Sequence, residues 1–251
     1  MSQGNLGVAK IEEHKSVPEK PEMDEQKLSQ LHYELIHGLI ETGICPTNAN
    51  LAQTLRASET ALEEQLCSLA DIHGVVLHSH SCRPWIIHPF SLTPTLNWIE
   101  GPKKSWWAPC IWCALGVATL VGGETRLHTR FGAEGEPLII ALRNGEPIFT
   151  QEVRVHFAIP PANAWDNVHE HCSMVLPFRS DDEVAAWCDR HGLPRGEIVS
   201  LRQVTQLATS WYGTHADPTW HKWTVAEAQE LFSRAGLCSE FWELRKTEGK
   251  F

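Results

Sequence analysis

Two cysteines three residues apart, Cys110 and Cys113, lie between tryptophans and an apolar run in the segment Trp106–Gly123. Thiols at this spacing can serve redox chemistry, supply half of a zinc site, bind a soft metal ion, or simply pack in a core. A further thiol, Cys172, follows a His-Glu-His stretch where a predicted helix meets a predicted strand. The chemistry of the protein depends on which of these thiols come together.

A redox pair and a zinc site each lack part of their usual sequence context. A thioredoxin-type Cys-x-x-Cys opens a helix inside a βαβ unit, whereas the residues after this helix predict a hairpin with a turn at Asn144–Gly145. Zinc requires four tetrahedral ligands. The segment "HEHC" at 169–172 could complete the set, but the chain has no second Cys-x-x-Cys. Both interpretations stay open as alternatives.

A third interpretation joins the distant Cys172 to the helix that begins near Cys110. Cys172 precedes the strand-like segment "SMVLPF", so a chain end could present its thiol to that helix. Two or three thiolates in an apolar, tryptophan-lined pocket with few oxygen ligands favour a thiophilic ion or an organometal. Four other cysteines are interpreted as small buried hydrophobic residues: Cys45, Cys67, Cys188 and Cys238.

The composition is that of a globular protein with a sizeable core, since 42% of the 251 residues are hydrophobic. The longest apolar stretch, Cys110–Val121, is far too short to span a bilayer, and the first 26 residues lack the apolar core of a signal peptide. We therefore expect a cytoplasmic protein with reduced thiols and no membrane partner. The formal charge of −10 argues against nonspecific binding of nucleic acid.

The N-terminal part of the chain predicts a polar tail and a small helical lobe. Residues 1–26 are polar and charged and contain proline, so we expect a disordered tail. Residues 27–100 predict three helices and a β-hairpin, the order of a winged helix-turn-helix. The first helix should end at Gly43, and Thr60 with Glu63 predicts a capping box for the third. Acidic side chains outnumber lysine and arginine on these helices, so we interpret the lobe as structural rather than DNA-binding.

Residues 101–251 predict a second unit of antiparallel strands flanked by helices. A helix from Cys110 to about Leu120 should end at a pair of glycines, and strand-like runs with the Asn-Gly turn follow it. A later helix should begin after Ser180 as N-cap and stop at Gly192. The predicted fold class is α+β, a winged-helix-like lobe followed by a domain of antiparallel strands flanked by helices.

Beyond these patterns, the chain from about Leu28 to Trp242 resembles the alkylmercury (organomercurial) lyase family. The most specific segments are "WCALG" at 112–116, where the family has Trp-Cys-Ala-Leu-Asp, and "HCSMVLPFRSDDEVAAW" at 171–187. The segments "HPFSLTPT" at 88–95 and "RGEIVSLRQVTQLATSWYG" at 195–213 resemble the wider set of lyase-like sequences. The resemblance implies that residues 101–251 form an alkylmercury-lyase-like catalytic domain.

The resemblance also implies roles for individual residues. Cys113 and Cys172 fall on the two catalytic cysteines of the family, whose thiolates capture mercury and weaken the carbon–metal bond. Gly116 falls on the catalytic aspartate, which relays a proton to the leaving carbon. General-acid assistance of this kind is typically worth roughly 10²–10⁴-fold in rate. The sequence therefore resembles a divergent member without the family's acid, which would use another proton donor, react slowly or do something else.

Two residues are the expected replacement donors. Cys110 lies one helical turn before Cys113 and hence on the same face of the helix, where it could also be a third sulfur ligand of the metal. His171 stands beside Cys172. Glu124, just past the end of the helix, is a weaker candidate.

The leading hypothesis is a lyase-like enzyme that cleaves a carbon–mercury bond by protonolysis. No fixed cofactor is required, because mercury arrives in a small organometallic substrate and small thiols remove the product ion. The alternative is a catalytically silent protein on the same scaffold that binds Hg, Cu or Zn through Cys110, Cys113 and Cys172. Neither hypothesis includes a nucleic acid or a membrane as a partner.

Overall fold

The structure, a computed structural model, describes residues 24–148, 151–244 and 249–251. Within these ranges, helices and antiparallel strands form an α+β fold, which confirms the predicted class. The predicted tail lies outside the described residues as far as position 23, and the first helix begins at Glu25, slightly before the predicted start of the lobe. Among the described residues, no helix is both long and apolar enough to cross a membrane.

The helices are α1 (Glu25–Thr42), α2 (Asn48–Leu55), α3 (Glu59–Asp71), α4 (Ile111–Val121), α5 (Val168–Ser173), α6 (Asp181–His191), α7 (Leu201–Tyr212) and α8 (Val225–Arg234). Short 3-10 turns span Pro161–Asn163 and Glu240–Trp242. The strands are β1 (Val76–Leu77), β2 (Pro84–Ile87), β3 (Phe90–Ser91), β4 (Asn97–Glu100), β5 (Ser105–Ala108), β6 (Glu124–Arg130), β7 (Pro137–Arg143), β8 (Glu146–Pro147), β9 (Arg154–Phe157), β10 (Val175–Phe178) and β11 (Glu197–Ser200).

The three N-terminal helices, α1 to α3, pack together through buried leucines at helical spacing. Helix α1 ends at Gly43 in a left-handed conformation, as predicted. Helix α3 is capped by Ser58, whose hydroxyl accepts a hydrogen bond from the Ala61 amide, so the predicted Thr60–Glu63 capping box is wrong. An N-cap residue needs extended backbone just outside the helix, which Ser58 has, whereas Thr60 already lies within the helix.

One antiparallel sheet joins the N-terminal hairpin to the rest of the molecule, with strand order β1-β2-β3-β5-β4-β6-β7-β8. Strand β2 pairs with β1 on one side and with β3 on the other, so the hairpin after α3 is the edge of this sheet. At the opposite edge, β7 and β8 are joined at Asn144–Gly145, where both residues have positive φ, as the predicted turn requires.

Helix α4 is the buried centre of the fold. Its first eight residues, Ile111–Ala118, are all buried, as expected for a helix that is apolar on every side. Cys110 is the N-cap, and its sulfur accepts a hydrogen bond from the Cys113 amide at 3.3 Å. The helix packs against strands β4 and β5 on one side and against α7 on the other. This arrangement places the first turn of α4, with both cysteines, deep inside the protein.

A second sheet, with strand order β10-β9-β11, positions the elements that face α4. Helix α5 leads directly into β10, so Cys172 lies at a helix–strand junction, as predicted. Helix α6 begins after Ser180 and stops at Gly192, also as predicted. Helix α7 follows β11 without a loop and turns its buried face, which ends in Tyr212, towards α4.

Candidate thiol site

The thiols singled out in the sequence come together in the structure, and a histidine joins them. Cys110 Sγ lies 3.2 Å from Cys113 Sγ. The potential ligand atoms of His88, Cys113 and Cys172 all lie within 4.8 Å of one another. At metal–sulfur bonds of about 2.3 Å, the length in zinc thiolates, two sulfurs at up to about 4.6 Å can share one ion. Joint capture of a single ion by Cys113 and Cys172 therefore needs little movement.

Each member of the cluster comes from a different part of the fold. Cys110 and Cys113 belong to the start of α4, and Cys172 lies in the last turn of α5. His88 lies in the tight turn between β2 and β3. A buried helix start, a helix end and a strand turn thus meet at one point, and no pair of these elements is adjacent in the sequence.

His88, Cys113 and Cys172 line a narrow cavity of about 40 Å³, which is room for on the order of three water molecules. Most of the wall is aromatic: Trp112, Trp165, Trp211, Tyr212, Trp220 and Phe251. Five histidines and one lysine also line it: His32, His73, His88, His171, His215 and Lys222. None of the described residues that line the cavity has a carboxylate. Soft sulfur donors in such surroundings suit a thiophilic metal better than a hard cation.

Cys113 is the thiol best able to act as a nucleophile. Burial alone would raise its pKa, but the Cys110 and Cys172 thiols against its sulfur outweigh that effect and hold the pKa well below the usual value. The nearby His88 and Tyr212 act in the same direction. A thiolate is the reactive form towards metals and electrophiles. Cys113 therefore presents a thiolate to a narrow pocket.

The other two thiols stay protonated beside this thiolate. Burial raises the pKa of Cys110 well above the usual value, and its hydrogen bond to Cys113 adds to the shift. The neighbouring sulfurs of Cys110 and Cys113, together with burial, raise the pKa of Cys172 in the same way. A metal ion can therefore bind the Cys113 thiolate first. Each further thiol then loses its proton as its sulfur binds the ion.

Tyr212 is a functional candidate that the sequence analysis missed. Its hydroxyl lies 3.4 Å from Cys113 Sγ, and the side chain is 2% exposed. Burial, and then the negative charge of Cys113, raises the pKa of Tyr212 well above the usual value. The phenol therefore stays protonated and donates a hydrogen bond to the thiolate. The available signal was the tyrosine at the end of the apolar face of α7, but only the packing of α7 on α4 shows what it meets.

The same tyrosine explains why position 116 holds a glycine, which has no side chain. A Cβ atom built on Gly116 would lie 2.2 Å from Cδ2 and 2.8 Å from Cγ of Tyr212. These atoms belong to a buried ring between two packed helices and have little freedom to move away. The Tyr212 ring thus occupies the space that a side chain at position 116 would need.

His88 is the second residue that the sequence analysis missed, although it opens the segment "HPFSLTPT". Its Nε2 lies 3.9 Å from Cys172 Sγ, and its buried Nδ1 has no hydrogen-bond partner among the described residues. Burial lowers the pKa of His88, so the ring is neutral near pH 7 and can accept a proton or bind a metal.

His171, expected beside the thiols, is in the cavity wall and only 3% exposed. Neither of its ring nitrogens has a hydrogen-bond partner in the described part of the chain. Burial lowers its pKa to about 4, so it too is neutral near pH 7. Glu124, the weaker candidate, is exposed and pairs with Arg143 at 2.9 Å, and it does not line the cavity.

Lys222 is the one cation among the described cavity-lining residues. Its ammonium group donates to the His73 carbonyl at 3.3 Å and lies 4.4 Å from the centre of the Trp165 ring. Burial lowers its pKa to about 7. The cavity therefore holds a lysine that can exchange its proton near neutral pH, and no carboxylate among its described lining residues.

The remaining cysteines differ in their exposure. Cys45 and Cys82 are half-buried, and Cys45 packs against the main core rather than within it. Cys188 is buried in a separate apolar cluster around Phe178 and Trp187, which confirms the prediction that it is a core residue. Cys67 and Cys238 are exposed, so the same interpretation is wrong for them. On α3, Cys67 lies beside the buried leucine face rather than within it.

Comparisons with known proteins find a matching family model and solved structures of similar fold. Residues 90–213 match the model of the family described as "MerB: Alkylmercury lyase". Ten chains of solved structures match, among them the "Crystal structure of the mercury-bound form of MerB2", with a TM-score of 0.58 and 20% identity over 79% of this chain and 94% of that one. At this level of identity the structural likeness establishes the fold. No curated protein gives a significant match. The resemblance found in the sequence is thus confirmed over residues 90–213, which match the alkylmercury lyase family model.

Proposed function

We propose that this chain is an organomercurial lyase-like enzyme that cleaves a carbon–mercury bond by protonolysis. The observation that supports this most directly is the convergence of the Cys113 thiolate and the Cys172 thiol within 4.8 Å, at the edge of a small apolar cavity. Both cysteines lie inside the stretch matched by the family model.

In the first step, the Cys113 thiolate bonds to the mercury of a small organomercurial and displaces its counter-ion. The Tyr212 hydroxyl at 3.4 Å and the Cys110 thiol at 3.2 Å hold this sulfur in place as hydrogen-bond donors. Since the thiolate exists before the substrate arrives, capture needs no separate deprotonation.

In the second step, the Cys172 sulfur bonds to the same mercury and loses its proton. The carbon–mercury bond breaks, and the carbon keeps the electron pair and takes up a proton. The proton lost by Cys172 balances the one gained by the carbon, and mercury stays bound between Cys113 and Cys172. Small thiols then exchange with the protein sulfurs and remove the ion. We place this reaction in the cytoplasm, where cysteines stay reduced.

A group in the cavity must transfer the proton between Cys172 and the carbon, and we assign this transfer to His88. The His88 ring is neutral near pH 7, and with its proton on Nδ1 the Nε2 atom, 3.9 Å from Cys172 Sγ, can accept the thiol proton as the sulfur binds mercury. Of the donors proposed from the sequence, Cys110 is assigned to hydrogen bonding and to a third sulfur contact with the ion. His171, in the cavity wall, is a second proton acceptor.

The test is the release of hydrocarbon from an organomercurial. Purified protein is incubated with phenylmercury and excess small thiol, and benzene is measured against a thiol-only background. We expect the wild type to exceed that background and C113S and C172S to fall to it. C188S is the matched control, because Cys188 is a buried cysteine outside the site. Absence of benzene above background in the wild type would end the lyase proposal.

A second candidate function is metal binding without catalysis. The observation that favours it is the compact set of one imidazole and two sulfurs, His88, Cys113 and Cys172, with no carboxylate among the described residues of the cavity wall. Such donors suit Zn, Cu or Hg. Binding of one ion per chain that is lost in C113S and C172S, without benzene release by wild type, would select this function.

A further inference from the structure

A second pair of thiols lies close together outside the cavity. Cys67 on α3 and Cys82 in the β1–β2 turn have their sulfurs 3.5 Å apart. Cys67 is exposed and Cys82 is half-buried, so reagents can reach the pair without opening the fold. Both residues precede position 90, where the family match begins, so the pair is not part of the matched family pattern.

The fold holds the two sulfurs together through a tightly closed turn. The His78 amide donates to the Arg83 carbonyl at 2.9 Å, and the Ser81 amide donates to the His78 carbonyl at 3.2 Å. Strands β1 and β2 pair on either side of this turn, and β1 also packs on α3. Cys82 is therefore held over the helix that bears Cys67, and binding an ion there requires little ordering of the chain.

The surroundings of the pair favour a soft cation of low coordination number. Among the described residues, the one group of three or more close His, Cys, Asp or Glu ligands is the buried set His88, Cys113 and Cys172. The Cys67–Cys82 pair is therefore not part of a group of three such ligands. Zinc would need four ligands, whereas soft ions are selected by thiolates alone. The hydrogen bond to Cys67, and then burial and the charges of Cys67 and Glu63, raise the pKa of Cys82. The Glu63 carboxylate also favours a positive ion near the pair.

We propose that Cys67 and Cys82 form a second, solvent-accessible site that binds one thiophilic metal ion, such as Hg(II), between two thiolates. Binding forms two metal–sulfur bonds and releases two protons to solvent, with no change of oxidation state. For a linear arrangement the sulfurs must separate to about 4.6 Å, at roughly 2.3 Å per bond. Rotation of the exposed Cys67 side chain can supply this change.

The test counts the ions that resist a competing thiol. Protein is loaded with inorganic Hg(II) and dialysed against excess 2-mercaptoethanol, which removes ions held by single cysteines but competes poorly with two sulfurs acting together. Wild type is expected to retain one ion per chain more than C67S or C82S. C238S, which removes an exposed single cysteine, is the matched control and should retain as many as wild type.

The difference between wild type and C67S is independent of the buried cavity, so the result stands whether or not the lyase proposal holds. Equal retention in wild type, C67S and C82S would overturn the inference. So would a matching loss in C238S, or an intact mass showing a Cys67–Cys82 disulfide that persists in the thiol buffer. Since Cys67 is exposed and Cys82 half-buried, the serine variants should fold, and circular dichroism checks this.

Discussion

The ring of Tyr212 packs directly on the backbone of Gly116, so that a Cβ at position 116 would lie 2.2 Å from the ring. The hydroxyl of the same tyrosine lies 3.4 Å from the sulfur of Cys113. The lack of a carboxylate at position 116 and the presence of a phenol beside the thiolate are therefore one packing relationship between α4 and α7. A change at either position alters both the helix packing and the chemistry.

Restoring a carboxylate by G116D is expected to destabilise the protein rather than to complete the site. The new side chain would collide with the Tyr212 ring, and overpacking of a core costs about 1–3 kcal/mol, to which an unpaired buried carboxylate adds. Urea unfolding measures the loss. G116A should lose part of the stability from the clash alone, and G116D should cost less stability in a Y212A background than in wild type. A G116D protein as stable as wild type would refute the packing argument.

Removing the Tyr212 hydroxyl by Y212F should leave the fold intact and raise the pKa of Cys113. The thiolate loses one hydrogen bond of the charged type, worth about 1.5–3 kcal/mol, so the pKa of Cys113 should rise. The pH dependence of Cys113 alkylation by a small reagent, followed by mass spectrometry, reports this pKa. Y33F changes the other tyrosine of the chain and is the control. An unchanged pH profile in Y212F would exclude this role.

Replacing the imidazole by H88Q should slow hydrocarbon release more than it weakens metal capture. Gln keeps a polar group near the position of Nε2 but cannot carry a proton in the same way, so we expect a loss of about 10²–10⁴-fold in the single-turnover rate of benzene formation. Retention of Hg(II) against a competing thiol should change little, because both sulfurs remain. H37Q, at an exposed histidine, is the control. Equal losses of binding and rate would instead make His88 a metal ligand.

Lys222 should make the stability of the fold depend on pH. Its folded-state pKa of about 7 lies below the unfolded value, so between pH 7 and about 10 the unfolded chain binds more protons and the unfolding free energy rises with pH. The contribution reaches at most about 1.4 kcal/mol per pH unit. K222M should remove this part of the slope, which urea unfolding at several pH values measures. K27M, at an exposed lysine, should keep the wild-type slope.

The sequence alone was sufficient for the local structure and for the identity of the main thiols. The start of α4 at Cys110, the Asn144–Gly145 turn and the Ser180 cap depend on residues within one helical turn or one hairpin, so short patterns predict them. The choice between Ser58 and Thr60 as a cap failed, because neighbouring residues offer equivalent hydroxyls and only the backbone path decides which lies outside the helix.

The tertiary structure decided what surrounds those thiols. His88 meets Cys172 across 84 positions, and Tyr212 meets Cys113 across 99. Such contacts depend on how α5 and α7 pack around α4, which no local spacing encodes. The sequence thus determined that Cys110, Cys113 and Cys172 are present and which elements bear them. Only packing determined that a histidine and a phenol, rather than a carboxylate, complete the cluster, because the Tyr212 ring already fills the space beside Gly116.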